Sequence, residues 1–128
     1  LEDAPADIAT LLAELSALGL THTRRSEEQV ALDQFSTPPQ WAALAALAVQ
    51  LRPGDCVLEP SAGTGLMAAI AEARGGVLTL NELAPTRAGL IDQLYPQALR
   101  VRHDGRHLAD LLDAAGRFDA VLTNPPFS

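Results

Sequence analysis

Residues 56–82 read CVLEPSAGTGLMAAIAEARGGVLTLNE, and this stretch decides the fold. CVLEP is an apolar run of strand character, SAGTG a glycine turn, LMAAIAEA a helix closed by Gly75-Gly76, and VLTLNE a second strand. Two such strands joined through a helix must run parallel, because the crossover returns the chain to the end where it began. Working outward, Pro85 suits the first turn of a helix reaching Tyr95. ALRVRHD (98–104) reads as a third strand, RHLADLLDAAG (106–116) as a helix and FDAVLTN (118–124) as a fourth strand. Strand-helix alternation with short links predicts an α/β domain whose parallel sheet is covered on both faces.

The segment before Cys56 is helical in pattern. ADIATLLAELSAL (6–18) carries Ile8, Leu11, Leu12, Leu15 and Leu18 at helical spacing, and Gly19 ends it. Ser26 with Gln29 has the form of a capping box opening a short helix over 27–34. FSTPPQ (35–40) is held extended by its prolines, and QWAALAALAVQL (40–51) is a helix that RPGD terminates. Residues 1–32 are expected to form a helical extension and 33–128 the ligand-binding unit.

Composition bounds the partners. The chain has 128 residues, 48% hydrophobic and 20% charged, which is globular and enough for one core. Its net charge of -7, with the nine basic residues scattered, argues against a nucleic-acid clamp. Any grip on nucleic acid is expected from regions outside this chain. The single Cys56 can form neither an internal disulfide nor a metal site, and within CVLEP it reads as a buried, inert thiol. His103 and His107 have no further ligand in register, so no metal is expected. No stretch is long and apolar enough to span a membrane, and the acidic N-terminus is unlike a signal peptide. A cytoplasmic protein without membrane partners is expected. It opens on Leu1 instead of Met, which fits an excerpt from a longer chain.

Four motifs carry the chemistry. In EPSAGTG (59–65), glycines let backbone amides approach a ligand at the positive end of a helix, and Gly63, Gly65 and Ala68 satisfy the looser dinucleotide pattern G-x-G-x-x-A. Glu82, about twenty residues beyond the turn, is placed to accept from ribose hydroxyls. At this point NAD and S-adenosylmethionine fit equally. Asp104, ending the third strand, can accept from an adenine amine and serves equally well as an N-cap for the helix that follows. The fourth motif is NPPF (124–127). Asn124 offers a side-chain carbonyl, Pro125 a backbone carbonyl, Pro126 removes a competing donor, and Phe127 gives a flat face for stacking. Together they suit a planar ring that carries an exocyclic NH2.

In this order, EPSAGTG, NEL, HD and NPPF resemble the S-adenosylmethionine-dependent amino-methyltransferases, above all the adenine-specific DNA enzymes. FSTPPQ matches their carboxylate-binding segment, and DQFSTPPQ with NPPFS is similar to methylase domains joined to strawberry-notch-type helicases in bacteria and phages. The resemblance covers about residues 33–128. It implies a Rossmann-like methyltransferase fold truncated to four strands in the order 3-2-1-4. Ser36, Thr37 and Pro38 would hold the methionine end of the cofactor, with Glu59, Pro60, Ala62, Gly63 and Gly65 around it. Glu82 would hold the ribose and Asp104 the adenine amine. Asn124, Pro125, Pro126 and Phe127 would present the acceptor amine.

Members of that family continue past the fourth strand, and this chain does not. Cofactor binding without turnover is therefore expected of these residues alone, with an exposed fourth strand that favours self-association. DNA is the expected acceptor ahead of RNA, with a fused or associated helicase. The alternatives are a silent docking or regulatory module, an RNA or protein-glutamine methyltransferase, and a nucleotide-binding oxidoreductase.

Overall fold

A computed structural model of the protein describes Ala17 and residues 36–108 and 118–125. Of the elements expected over 6–18 and 26–34 only Ala17 is described, and it is helical. The helix expected over 106–116 lies outside the described residues beyond Leu108, as do Pro126 and Phe127.

The described chain runs α1 (Pro39–Ala48), β1 (Cys56–Glu59), α2 (Leu66–Ala73), β2 (Val77–Asn81), α3 (Pro85–Leu94), β3 (Leu99–Val101), a 3-10 turn (Gly105–His107) and β4 (Ala120–Val121). All pairings are parallel and the order is β3-β2-β1-β4. β1 is the hub. Its residues pair with β2 from Cys56↔Val77 to Glu59↔Leu80, and with β4 at Val57↔Ala120 and Leu58↔Val121. β1 is central in the sheet and buried from Val57 through Glu59, which is why its run is nearly all apolar.

The helices are set by proline and alanine. Pro39 and Pro85 stand in the first turns of α1 and α3, where a missing N–H costs nothing. α1 turns Ala42, Ala43 and Ala46 inward and packs on α2, small side chains letting the two axes come close. It ends at Ala48, three residues short of the expected Leu51. Gln50 takes φ 52°, which turns the chain so that Leu51 drops into the core. The turn that follows is closed by Asp55, whose Oδ2 accepts from the Arg52 amide at 2.8 Å.

The core is a single cluster in which Val57, Leu80 and Ile91 are the larger fully buried side chains. Each contributes about 1.5–3 kcal/mol by leaving water. Tyr95 belongs to it as well. Its hydroxyl donates to the Gly65 carbonyl at 2.5 Å. Burial, then the charges of Glu72 and Glu59, hold its pKa above the ordinary value of 10.0. Cys56 is only partly buried, against the expectation of a fully covered thiol. It opens β1 at the exposed end of the sheet, where its amide donates to Asp119 Oδ2 at 2.8 Å.

β3 and β4 are shorter than expected from ALRVRHD and FDAVLTN. β3 stops at Val101 because both backbone groups of His103 are taken by the side chain of Asn81 and not by a neighbouring strand.

Candidate functional site

Because every strand is parallel, the residues that follow the four strand ends gather on one edge. Glu59 ends β1, Glu82 follows β2, Asp104 follows β3 and Asn124 follows β4. Open parallel sheets bind ligands along that edge.

The glycine turn sits at the middle of it. Gly63 and Gly65 have φ of 59° and 83°, and Gly65 caps α2. Gly65 is required on two counts. A side chain there would be strained, and its Cβ would stand 2.6 Å from Tyr95 Cε2 and 2.9 Å from Ile91 Cδ1. The turn is pinned to β2 by the Ala62 amide, which donates to the Asn81 carbonyl at 2.8 Å.

Glu82 is buried and both its oxygens are occupied. Oε2 accepts from the Gly63 amide at 2.7 Å and Oε1 from the Ala84 amide at 2.8 Å. The acid expected to hold a ribose thus also braces the glycine turn and the entry to α3. A carboxylate oxygen has a second lone pair, so each can still accept from a ligand hydroxyl.

Glu59 is the anomaly. It is 4% exposed, and its Oε2 has no hydrogen-bond partner. Burial pushes its pKa up to about 8; the Ala68 amide, which donates to it, pulls the other way, and the charge of Glu82 adds to the rise. A buried carboxyl left one bond short is what a cationic or hydrogen-bonding ligand would complete.

Asp104 accepts from the Arg106 amide at 3.0 Å through Oδ1 and so caps the 3-10 turn. It is partly exposed. The cap engages Oδ1 and leaves Oδ2 without a donor among the described residues.

At the other end of the edge, Asn124 and the FSTPPQ segment meet. Asn124 Nδ2 donates to Thr37 Oγ1 at 2.9 Å, and Thr37 Oγ1 in turn donates to Met67 Sδ at 3.8 Å. Thr37 and Asn124 are half-buried, whereas Ser36, Pro38 and Pro125 are exposed.

Asn81 and Arg87 escaped the sequence reading. Asn81 is 1% exposed. Its Nδ2 donates to the carbonyls of Pro60 and His103, each at 2.9 Å, and its Oδ1 accepts from the His103 amide at 2.8 Å. One side chain therefore ties the ends of β1, β2 and β3. Its signal was a polar residue closing the apolar run VLTL, beside the acid that drew attention. Arg87 lies buried against the turn, its Nη1 3.4 Å from where a Cβ on Gly63 would stand. Its signal was a cation in the first turn of a helix, where the dipole disfavours one.

No protein-family model matches the chain, and no curated protein matches it. Solved structures do. TrmN from Thermus thermophilus is 25% identical over 80% of this chain, with a TM-score of 0.64. PH1948 from Pyrococcus horikoshii, described as a putative RNA methyltransferase, is 21% identical over 92%, with a TM-score of 0.67. A protein-L-isoaspartate O-methyltransferase is 22% identical over 69%, with a TM-score of 0.58. The chain spans 32%, 61% and 29% of these three proteins. The four-stranded sheet in the order β3-β2-β1-β4 is that of the Rossmann-like methyltransferase fold. No described helix is long and apolar enough to cross a membrane.

Proposed function

We propose that the chain is the cofactor-binding part of an S-adenosylmethionine-dependent methyltransferase acting on the exocyclic amine of adenine in DNA. The observation that carries this reading is the bond from Asn124 to Thr37. With Nδ2 committed to Thr37, Asn124 keeps its carbonyl oxygen for an incoming amine, and the residue is anchored to the segment assigned to the cofactor's methionine end.

The residues fit such a cofactor. Glu59 has an unmatched oxygen for its ammonium, and Glu82 has spare lone pairs for its ribose. Ser36 and Thr37 would hold the methionine end, and Asp104 would accept from the adenine amine. Bound there, S-adenosylmethionine supplies an electrophilic methyl group on a sulfonium. Asn124 Oδ1 and the Pro125 carbonyl accept from the two amine protons. They draw the nitrogen lone pair out of conjugation with the ring and toward a nucleophilic form. Phe127 stacks on the base. A duplex base must be flipped out to reach these groups.

An RNA amine is the second acceptor, favoured by the likeness to PH1948. Further contacts to nucleic acid, and a fused or associated helicase, lie outside this chain. β4 is the edge of the described sheet, with Val121 49% exposed, and self-association along it is part of the proposal.

The test is transfer of a tritiated methyl group, by the gene product that contains this chain, onto unmethylated DNA and onto RNA. Label on DNA adenine supports the proposal, and label on RNA alone moves the acceptor. If no label transfers while S-adenosylhomocysteine still binds, the silent docking module is left standing. Calorimetric binding of NADH in place of S-adenosylhomocysteine would turn the assignment to an oxidoreductase.

A further inference from the structure

Arg87 is differently placed from Arg100, Arg102 and Arg106, each of which has an acid within reach. It is 9% exposed, lies in the first turn of α3 and makes no hydrogen bond or ion pair among the described residues. Burial, an opposing helix dipole and the absence of a partner all disfavour a guanidinium. Its unpartnered nitrogens are not fully buried, so a ligand arriving from solvent can supply their acceptors.

The position says which ligand. Arg87 Nη1 lies 3.4 Å from the point where a Cβ on Gly63 would stand, and the amide of Gly63 donates to Glu82 Oε2 at 2.7 Å. Gly63 is flanked by a carboxylate and a guanidinium that form no ion pair with each other. The bare Cα leaves the approach to Arg87 open, where a Cβ would already stand at van der Waals distance from Nη1. Acceptors on one side and donors on the other complement a hydroxyl, which both donates and accepts. A carboxylate alone satisfies only the hydrogen of each hydroxyl and leaves its oxygen unmatched.

Resting on the cofactor reading above, we infer that Arg87 completes the ribose subsite, donating to the diol oxygens whose hydrogens Glu82 accepts. The pair then reads a vicinal diol and discriminates ribose from deoxyribose. No carboxylate or phosphate on the cofactor is needed to account for the charge, because Glu82 balances it once the diol bridges the two.

The test is calorimetric titration of the protein and of Arg87→Met and Arg87→Lys with S-adenosylhomocysteine and with its 2′-deoxyribose analogue. Wild type should prefer the ribose form by about tenfold, the loss of one or two hydrogen bonds. Arg87→Met should weaken S-adenosylhomocysteine by about tenfold and the analogue, which keeps its 3′ hydroxyl, by clearly less, so that discrimination narrows to what Glu82 alone supplies. Arg87→Lys, which keeps the charge and the stem, should lose part of the discrimination. It decides the matter should the Met variant not fold. Equal weakening of both ligands, or unchanged affinity for S-adenosylhomocysteine, overturns the assignment and leaves the cofactor reading intact. Binding of neither ligand by folded wild type overturns both.

Discussion

The side-chain amide of Asn124 donates to Thr37 Oγ1 at 2.9 Å, joining two residues 87 positions apart in the chain. The bond engages the NH2 end of the Asn124 amide and leaves its carbonyl oxygen facing away from Thr37, the end proposed to accept from an amine. If that is its purpose, Asn124→Ala should abolish methyl transfer by the parent protein and leave the Kd for S-adenosylhomocysteine within about threefold. Thr37→Val removes the orienting bond, worth about 1 kcal/mol, together with the weak contact to Met67 and the hydroxyl proposed for the methionine end, so kcat should fall by about fivefold or more and the Kd for S-adenosylhomocysteine should rise. Normal turnover by Asn124→Ala would refute the amine-holding role.

Gly65→Ala tests the closeness of the turn to α3. The new Cβ would overlap Tyr95 and Ile91 at a positive φ, and a loss of about 2–4 kcal/mol is expected by urea unfolding. Gly54→Ala is the control. It shares a positive φ but meets nothing within 4 Å, and should cost only about 1–2 kcal/mol. Equal losses would mean that backbone strain, and not contact, demands glycine at 65.

Asn81→Ala should be among the most destabilising single changes in the described chain. It orphans the Pro60 carbonyl and both backbone groups of His103, for about 3 kcal/mol or more. A measured loss below about 1 kcal/mol would show that the strand ladder holds these ends unaided.

Glu59 gives the fold a pH dependence of definite sign. Its pKa is about 8 in the folded protein and 4.5 ordinarily, so the folded state holds the proton more tightly. Below pH 4.5 both states are protonated and the group contributes nothing. From there to about pH 8 the unfolded chain releases its proton first, and stability falls by up to about 1.4 kcal/mol per pH unit. Glu59→Gln should flatten this slope and unfold at higher urea than wild type at pH 8. Parallel pH profiles for the two proteins would place the carboxyl in contact with water.

The parallel alternation of strands and helices was legible because it depends on local patterns, while the order β3-β2-β1-β4 was reached only through the family resemblance. Val57, Leu78 and Leu80 mark buried strands, and Gly63 and Gly65 mark a turn of positive φ, at Gly65 with no room for a Cβ. What escaped was tertiary. Nothing near Asn81 in the sequence says that its amide will meet His103, and that meeting both shortens β3 and steadies the glycine turn. Glu82 was found for the ligand it suits, yet its present partners are the Gly63 and Ala84 amides, which no spacing rule names. Arg87 was hidden inside a helix pattern, since a pattern records which face is apolar and not which cation lies under a neighbouring loop.

The chain has one tyrosine and one tryptophan, and the fold puts them in opposite situations. Tyr95 is buried beneath the glycine turn with its hydroxyl on Gly65, while Trp41 stands 59% exposed on α1. The molecule thus has its own pair of optical probes. Any ligand that shifts the turn will alter tyrosine emission and the alkaline absorbance change of its phenol. The tryptophan spectrum will register only what happens at the outer surface of α1.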